Sequence, residues 1–325
     1  MEVVPPRGKP WEVVARGRSG SVVRMSKDKL LTFYLPDWLQ WQVAHDKHGF
    51  LAAVRAVLAD SGWQMQVRGN GLTERLASVA RPGWSMFYED APMPGRSLTM
   101  RRSYLEPFWH IEKTAKRWEF DVAKTSFDAG SVNGQRAGQF GGFWRTKLEL
   151  PDAKSGEGFV YVPLQGKLLA QRSFQSMSPI EMVRVLAERE TREIVVTLHP
   201  SEVYSEAERA AVAKLCDHPR IMQSTAPLID LLPRCDYVAT QNSGVVISGF
   251  LLDKPAILFG QIDFHHITGS VPRDGLDAAF AHLNADPPDY ARYLFWFFQS
   301  QALNVWRPDF PDRLKARLAA HGLEL

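Results

Sequence analysis

Cysteines, long apolar runs and a strong net charge are all scarce in this sequence. Only two of its 325 residues are cysteines, Cys216 and Cys235, and their spacing is not that of a metal site, so a disulfide-stabilised or zinc-ribbon fold is excluded. No apolar run reaches the roughly 18 residues of a membrane-spanning helix, and no signal-peptide core is present. The net charge of +3, without a basic run, argues against a nucleic-acid partner. We therefore expect a cytoplasmic protein.

Strand-like and helix-like segments alternate through the first half of the chain. Buried strands are predicted at 29–35, 63–68 and 84–88, and helices at 48–58 and 72–79. This alternation is typical of a parallel sheet covered by helices.

A polar, glycine-containing stretch at 151–158 then interrupts the pattern and predicts a domain boundary. The alternation restarts after it, with predicted strands at 158–164, 193–198, 220–223, 237–240 and 256–259, and predicted helices at 178–190, 206–215, 228–233 and 244–252. The length suits about two domains. We predict a first domain over 1–155, a second over 156–287 and C-terminal helices over 288–325.

The predicted fold is α/β, with two doubly wound Rossmann-like domains facing across a cleft. Ligands of open α/β sheets bind just outside the carboxyl ends of the strands. The polar residues that directly follow predicted strands are therefore the candidate site residues.

His199 and Pro200 directly follow the strand of sequence EIVVTL. An imidazole at this position points to the ligand crevice and could donate to a phosphate. The alternative is a histidine that caps the next helix or packs under a loop.

Gln241, Asn242, Ser243 and Gly244 follow the next strand, and a predicted helix begins at once. Polar side chains and backbone amides at a helix N-terminus suit an anion, and Gly244 would let a phosphate approach the backbone closely. The alternative is an ordinary N-cap formed by Ser243. Four small polar residues in a row exceed what a cap requires.

Two further candidates follow strands. Asp263, His265 and His266 could be metal ligands, but no further Asp/His cluster supports that interpretation, so lining or loop packing is favoured. Glu89 and Asp90 follow the strand at 84–88 and could supply a nucleophile or a base from the opposite wall of the crevice, or be a solvated pair.

The ordered motifs of the second half resemble the capsule polysaccharide biosynthesis family, which contains bacterial β-Kdo transferases of the GT-B type. The resemblance covers about residues 158–268, and its hallmarks are an HP dipeptide and a QxS segment that opens a helix. The matching residues here are His199-Pro200, Ala226-Pro227, Leu231-Leu232, Gln241-Asn242-Ser243-Gly244, Lys254-Pro255 and Phe259-Gly260. In the first half, Glu89-Asp90-Ala91 with downstream arginines is similar to an acidic-then-arginine stretch of the family.

The resemblance implies a GT-B glycosyltransferase that moves Kdo or a related sugar from a CMP-sugar donor to a polysaccharide or glycolipid acceptor. It implies nucleotide binding by His199, Pro200 and the 241–244 segment, and a catalytic carboxylate at Asp90 or Glu89. No cofactor or metal is implied, and the sequence has no Asp-x-Asp motif. Peripheral association with the inner membrane or with capsule assembly proteins remains open.

Two other interpretations remain open. The family helix after QxS carries Gly-Phe-Glu-Ala, where this chain has Val246-Ile247-Ser248-Gly249. The missing glutamate favours a catalytically degenerate protein that binds a nucleotide sugar or glycan without turnover. A sugar-nucleotide epimerase would share the same architecture.

The segment 288–304 is crowded with aromatic residues, and Tyr290, Tyr293, Leu294 and Phe297 share one helical face. We predict that this helix packs against both domains. A membrane-surface helix is the alternative, although such a helix usually has a lysine-rich polar face and this one has only Arg292.

Overall fold

The computed structural model describes residues 29–152 and 156–325, so residues 153–155 at the predicted domain boundary lie outside the described residues. The strands are β1 Leu30–Leu35, β2 Gln64–Gly69, β3 Trp84–Tyr88, β4 Ser97–Arg102, β5 Phe108–Glu112, β6 Phe159–Leu164, β7 Glu193–Leu198, β8 Ile221–Gln223, β9 Tyr237–Thr240, β10 Ala256–Leu258, β11 Gly269–Ser270 and β12 Leu303–Asn304. The α-helices are α1 Asp37–Ala44, α2 Gly49–Asp60, α3 Leu72–Ala77, α4 Asp121–Lys124, α5 Gly134–Lys147, α6 Pro179–Arg189, α7 Glu206–Leu215, α8 Leu228–Leu231, α9 Val245–Phe250, α10 Val271–Asp274, α11 Leu276–Ala281, α12 Tyr290–Phe295 and α13 Phe310–Ala320.

These elements form two compact units. Unit 1 contains the described residues up to Arg102 together with Trp109–Ala115 and Leu303–Leu325. Unit 2 contains Ser103–Phe108 and Lys116–Ala302. The main division therefore lies near residue 115, and residues 116–152, which we expected in the first domain, belong to unit 2.

Unit 1 is built on a six-stranded sheet in the order β12-β5-β4-β3-β1-β2. Strands β1 to β4 pair in parallel, and β5 runs antiparallel to β4. The order 2-1-3-4 of the first four strands is that of a doubly wound sheet whose switch point lies between β1 and β3. Its core joins residues of β1 and α2 to Leu314 and Leu318 of α13.

Unit 2 has a second six-stranded sheet, in the order β11-β10-β9-β6-β7-β8, and its neighbouring strands pair in parallel. Successive side chains of β6 alternate between two cores, with Tyr161 in one and Val160 and Val162 in the other, because a strand exposes alternate residues on opposite faces. Ser178 and Glu181 form a capping box that begins α6, which stabilises the helix start by about 1 kcal/mol.

The aromatic segment near residue 290 is a buried part of unit 2. Helix α12 continues as a π-helical turn, Trp296–Gln301. Tyr293 and Trp296 lie with ring centroids 5.2 and 5.3 Å from that of Phe127. Phe298 lies 6.0 Å from Phe140 of α5. Because these rings are buried in the core, they are not available to a membrane surface.

Of the helices in residues 29–152 and 156–325, none combines the length and the apolar character needed to cross a bilayer.

Candidate functional site

A pocket in unit 2 lies where the strand order of the sheet reverses. Numbered within the unit, the strands run 3-2-1-4-5-6, so the switch point falls between β6 and β9. Leu164 and Gln165 at the end of β6, and Thr240 and Gln241 at the end of β9, line this pocket, which is a crevice too narrow for a water molecule in this structure. This is the position at which doubly wound sheets bind their ligands.

His199 lies at the same edge of this sheet, directly after β7. Because β6 separates β7 from β9, His199 and Gln241 are two strand spacings apart, about 10 Å. The backbone amide of His199 donates to the Leu164 carbonyl at 3.1 Å. The structure thus brings together the two segments that the sequence singled out.

The imidazole of His199 is exposed, and its orientation is fixed by a local hydrogen bond. Its Nδ1 accepts from the Ser201 amide at 3.2 Å. A neutral imidazole with Nδ1 as acceptor carries its proton on Nε2, so Nε2 can donate to a ligand. Pro200, which follows it, is also exposed.

The residues after β9 have separate roles. Gln241 is buried, and its Nε2 donates to the Met177 carbonyl at 3.1 Å. Asn242 is half-buried. The hydroxyl of Ser243 accepts from the Val245 amide at 3.3 Å, but the N-cap residue of α9 is Gly244, and no side chain caps the helix.

Gly244 does not face open space. A Cβ added there would lie 3.1 Å from Cδ1 of Tyr104. The Tyr104 ring thus occupies the side from which a phosphate was expected to approach, and the small residue is needed for this packing.

Tyr104 belongs to a buried polar cluster of unit 2. Its hydroxyl donates to the carboxylate of Asp263, which is fully buried. The Arg117 guanidinium lies over the Tyr104 ring at 4.2 Å, and its Nη1 is 3.9 Å from Asp263 Oδ2. Burial raises the pKa of Tyr104 well above its usual value, so the phenol stays protonated and can act only as a neutral hydrogen-bonding group.

His265 and His266 are loop-packing residues, and their hydrogen bonds do not suit metal ligation. His265 Nδ1 contacts the Ile262 carbonyl at 2.8 Å. Both nitrogens of His266 are engaged, Nδ1 with the Tyr293 hydroxyl at 3.0 Å and Nε2 with the Val122 carbonyl at 3.1 Å. The packing interpretation is therefore the one that the structure favours.

The burial of His266 predicts a loss of stability in mild acid. Desolvation, followed by the neighbouring His265, lowers the pKa of His266 from 6.5 to about 4. As the pH falls from about 6.5 towards 4, the unfolded chain binds a proton that the native chain does not, which costs about 3 kcal/mol of unfolding free energy. We expect urea unfolding at a series of pH values to show this loss, and the H266Q variant to show a smaller one, because burial also lowers the pKa of His265. Equal pH slopes for the two proteins would contradict the assignment.

Glu89 and Asp90 lie at the carboxyl end of β3, beside the switch point of unit 1. Glu89 Oε2 is 3.6 Å from Arg101 Nη2, and Asp90 Oδ1 is 3.2 Å from Arg75 Nη1. About a third of each acidic side chain is exposed, 36% and 35%. Each carboxylate thus lies beside an arginine and is accessible to solvent.

The unit 2 pocket has a charged residue that was not predicted from the sequence. Arg172, in the loop between β6 and α6, lines the pocket beside Gln165 and Gln241. The only sequence signal was its place in the loop after the first strand of a doubly wound domain, where ligand contacts are common.

Comparison with known proteins supports the fold. No protein-family model and no curated protein matches the sequence. KpsC of Thermosulfurimonas dismutans, a β-Kdo 2,7 transferase, is similar in structure with a TM-score of 0.51 and 11% identity, over 82% of this chain and 89% of that chain. A KpsC β-Kdo 2,4 transferase of the same organism gives 0.45 and 12% over the same shares. Anabaena Alr3699/HepE in complex with UDP gives 0.38 and 9%, over 90% of this chain and 100% of that chain.

The likeness to the first of these structures shows that this chain shares its fold. The predicted resemblance to β-Kdo transferases is therefore confirmed at the level of the fold, and so is the α/β class with two doubly wound sheets of the GT-B type.

Proposed function

We propose that this chain is a glycosyltransferase that moves Kdo or a related sugar from a CMP-sugar to a polysaccharide or glycolipid acceptor. The observation that carries the proposal is the placement of Gln241 at the switch point of unit 2, with His199 at the same sheet edge. Crevices at this position bind nucleotides in doubly wound sheets. The fold that this chain shares with a β-Kdo transferase also supports the proposal.

The roles of the site residues follow from their positions. His199 would donate its Nε2 proton to the donor phosphate, and Gln241 would contact the nucleoside. Ser243 would hold the turn after β9 through its hydrogen bond to the Val245 amide, and Gly244 would allow Tyr104 to pack against the turn. Asn242 lies in the same turn. No metal is needed in this scheme, because hydrogen-bond donors can hold one phosphate.

For the catalytic carboxylate, Asp90 or Glu89 remains our proposal. A carboxylate can act as a nucleophile or as a base in sugar transfer. The salt bridges to Arg75 and Arg101 hold the two candidates in defined positions, and both are reachable from solvent.

A protein that binds the nucleotide sugar without turnover is the second candidate. It is favoured by Ser248 of α9, which stands where the family has a glutamate. Release of CMP from CMP-Kdo in the presence of acceptor would show turnover, whereas binding of CMP without release would support this second candidate.

Nucleotide binding tests the proposal directly. We expect CMP, but not UDP, to raise the unfolding temperature, since a ligand at 100 times its Kd stabilises by about 2.7 kcal/mol.

We expect H199A to weaken CMP binding by roughly 10- to 100-fold in titration calorimetry, the effect of losing a charge-assisted hydrogen bond of about 1.5–3 kcal/mol. Because His199 is exposed, the variant should fold normally.

His218 provides a matched control for this variant. Its Nδ1 accepts from the Arg220 amide two residues later, as that of His199 does from Ser201, but it precedes β8 at the opposite edge of the sheet. H218A should therefore bind CMP as the wild type does. An unchanged CMP affinity in H199A would refute the role of His199, and protection by UDP alone would refute the CMP donor.

A further inference from the structure

Unit 1 has a cavity at the edge of its sheet opposite to Glu89 and Asp90. The cavity has a volume of about 190 Å³, and because a single water needs at least about 10–15 Å³, it can hold several waters or one small molecule. Ser85 near the start of β3 and Ser97 at the start of β4 line it. Ser85 and Glu89 lie about 13 Å apart along the strand. Doubly wound sheets bind their ligands at the carboxyl ends of the strands, so this cavity lies at the other edge.

The floor of the cavity belongs to a row of hydroxyl-bearing residues. Thr32 of β1 pairs with Ser85 of β3, and Ser85 pairs with Ser97 of β4, so the three side chains share one face of the sheet. On the opposite face, Met86 and Leu98 belong to the apolar core. A parallel sheet that is covered on both faces usually has apolar residues on both. A polar row beneath a cavity therefore indicates a surface that suits a polar molecule.

The Ser85 hydroxyl is available to a ligand. The residue is 7% exposed, and its backbone amide donates to the Arg96 carbonyl at 2.9 Å. Its side-chain oxygen has no hydrogen-bond partner among the described residues and is not fully enclosed by them, so it faces the cavity that the residue lines. The Ser97 hydroxyl, by contrast, donates to the Met93 carbonyl. Ser85 can therefore donate a hydrogen bond to a bound molecule.

Two arginines that line the cavity supply further donors. Among the described residues, Arg81 donates hydrogen bonds only from Nη1, to the Tyr34 hydroxyl at 3.0 Å and the Glu74 carbonyl at 3.2 Å. The Glu74 carboxylate, 2.8 Å from the same nitrogen, balances the charge of Arg81. Arg96 has no ion pair and no side-chain hydrogen bond in the described part of the chain. The cavity is thus positively charged, and the planar donors of arginine suit carboxylate and phosphate oxygens.

Two Pro-Gly turns, Pro82-Gly83 and Pro94-Gly95, form walls of the cavity. The φ angles of Gly83 and Gly95 are 82° and 97°, a region that favours glycine, and each proline fixes its own φ. A Cβ at Gly83 would collide with the Leu30 carbonyl oxygen. The walls are therefore held in one conformation, which lowers the cost of ordering them around a ligand.

We propose that this cavity is a second binding site, for a small polar molecule that carries a carboxylate or a phosphate, such as a single acidic sugar unit or a sugar phosphate. Arg96 and Arg81 bind the oxyanion, and the Ser85 hydroxyl donates to an oxygen of the same molecule. The volume is below the about 300–1,000 Å³ of pockets for larger ligands, which excludes a whole nucleotide sugar. The inference does not depend on the proposed function, because the nucleotide edge belongs to the sheet of unit 2.

Three matched sugars test the site. Glucuronate, glucose 6-phosphate and glucose share one ring and differ in the group at its sixth carbon. Titration calorimetry would measure each of them with the full-length protein. We expect one of the two anions to bind roughly tenfold or more tightly than glucose, because glucose has no charge for Arg96 to bind. The anion that binds more tightly identifies the ligand group as a carboxylate or as a phosphate.

Two variants locate the binding. R96Q should weaken binding of the preferred anion by roughly tenfold or more, and S85A by about two- to tenfold, the effects of losing a charged and a neutral hydrogen bond. Both should fold normally, since Arg96 is exposed and the Ser85 hydroxyl has no partner among the described residues. R102Q is the control. Arg102 is exposed at the opposite end of β4, so this variant should bind the anion as the wild type does.

Three results would overturn the inference. Glucose binding as tightly as the anions would show that no oxyanion is recognised. An unchanged affinity in R96Q, or an equal loss in R96Q and R102Q, would show that the anion binds elsewhere or through general charge attraction. If neither anion bound, the second site would be refuted, and titration of the same preparation with CMP would show separately whether the proposed nucleotide binding holds.

Discussion

Removal of residues 288–325 is expected to leave a chain that cannot fold. The segment supplies buried side chains to both units. In unit 2 these are Tyr290, Tyr293, Leu294, Trp296, Phe297 and Phe298, and in unit 1 they are Leu303, Phe310, Leu314, Leu318 and Leu323. At about 1.5–3 kcal/mol for each buried side chain, their loss exceeds the about 5–15 kcal/mol by which a domain is usually stable.

A shorter deletion separates the two contributions. Removing only 303–325 takes β12 and α13 from unit 1 and leaves the aromatic core of unit 2 intact. Circular dichroism and size-exclusion chromatography should then show partial loss of structure for the shorter deletion and aggregation for the longer one. A soluble, monomeric 1–287 chain with cooperative unfolding would contradict this account of the C-terminal packing.

Arg317→Met is expected to cost about 3–5 kcal/mol of unfolding free energy, the effect of breaking a buried ion pair. Arg317 Nη1 lies 3.2 Å from Glu112 Oε1, and the exposed fractions of their side chains are 16% and 2%. The substitution leaves the Glu112 carboxylate, at the end of β5, buried without its arginine. Because Arg317 retains some contact with solvent, we expect a value near the lower limit, measured by urea denaturation.

An exposed pair of the same unit serves as the control. Arg55 and Asp46 lie 3.0 Å apart, but 42% and 72% of their side chains are exposed. Surface pairs of this kind contribute about 0–1 kcal/mol, so R55M should have little effect. If R317M were as mild as R55M, the Arg317–Glu112 contact would not stabilise unit 1.

Unit 2 was predicted well because its strands are short apolar runs between clear turn signals. β7 and β9 occur at the predicted residues, and α7 begins and ends as predicted. Since strand ends fix the ligand edge of a parallel sheet, the neighbourhood of His199 and Gln241 followed from the same pattern.

The sequence concealed β4 and β5 because their buried residues are partly polar. Thr99 of β4 is buried, and its hydroxyl donates to the Phe87 carbonyl at 3.1 Å. β5 contains His110 and Glu112, both about 1% exposed. Polar residues in a strand interior resemble a loop unless their partners are known, and these partners are distant in sequence.

The division between the units was hidden for a similar reason. Helix α5 has six residues of glycine or glutamine among its fourteen, GQRAGQFGGFWRTK, and its apolar face is completed by Phe298 and other residues about 150 positions later. Only the contacts that α5 makes in the folded protein show that it belongs to unit 2. Arg172 was missed because a single loop arginine has no pattern.

Unit 1 is interrupted in sequence by unit 2, and this has a consequence for synthesis on the ribosome. Domains usually fold in order from the N-terminus as the chain emerges. Here every residue of unit 2 has been made by Ala302, whereas β12 and α13 of unit 1 are translated afterwards. Strands β1 to β5 of the unit 1 sheet must therefore wait with an unpaired β5 edge while unit 2 is completed, so the unit that begins first is finished last.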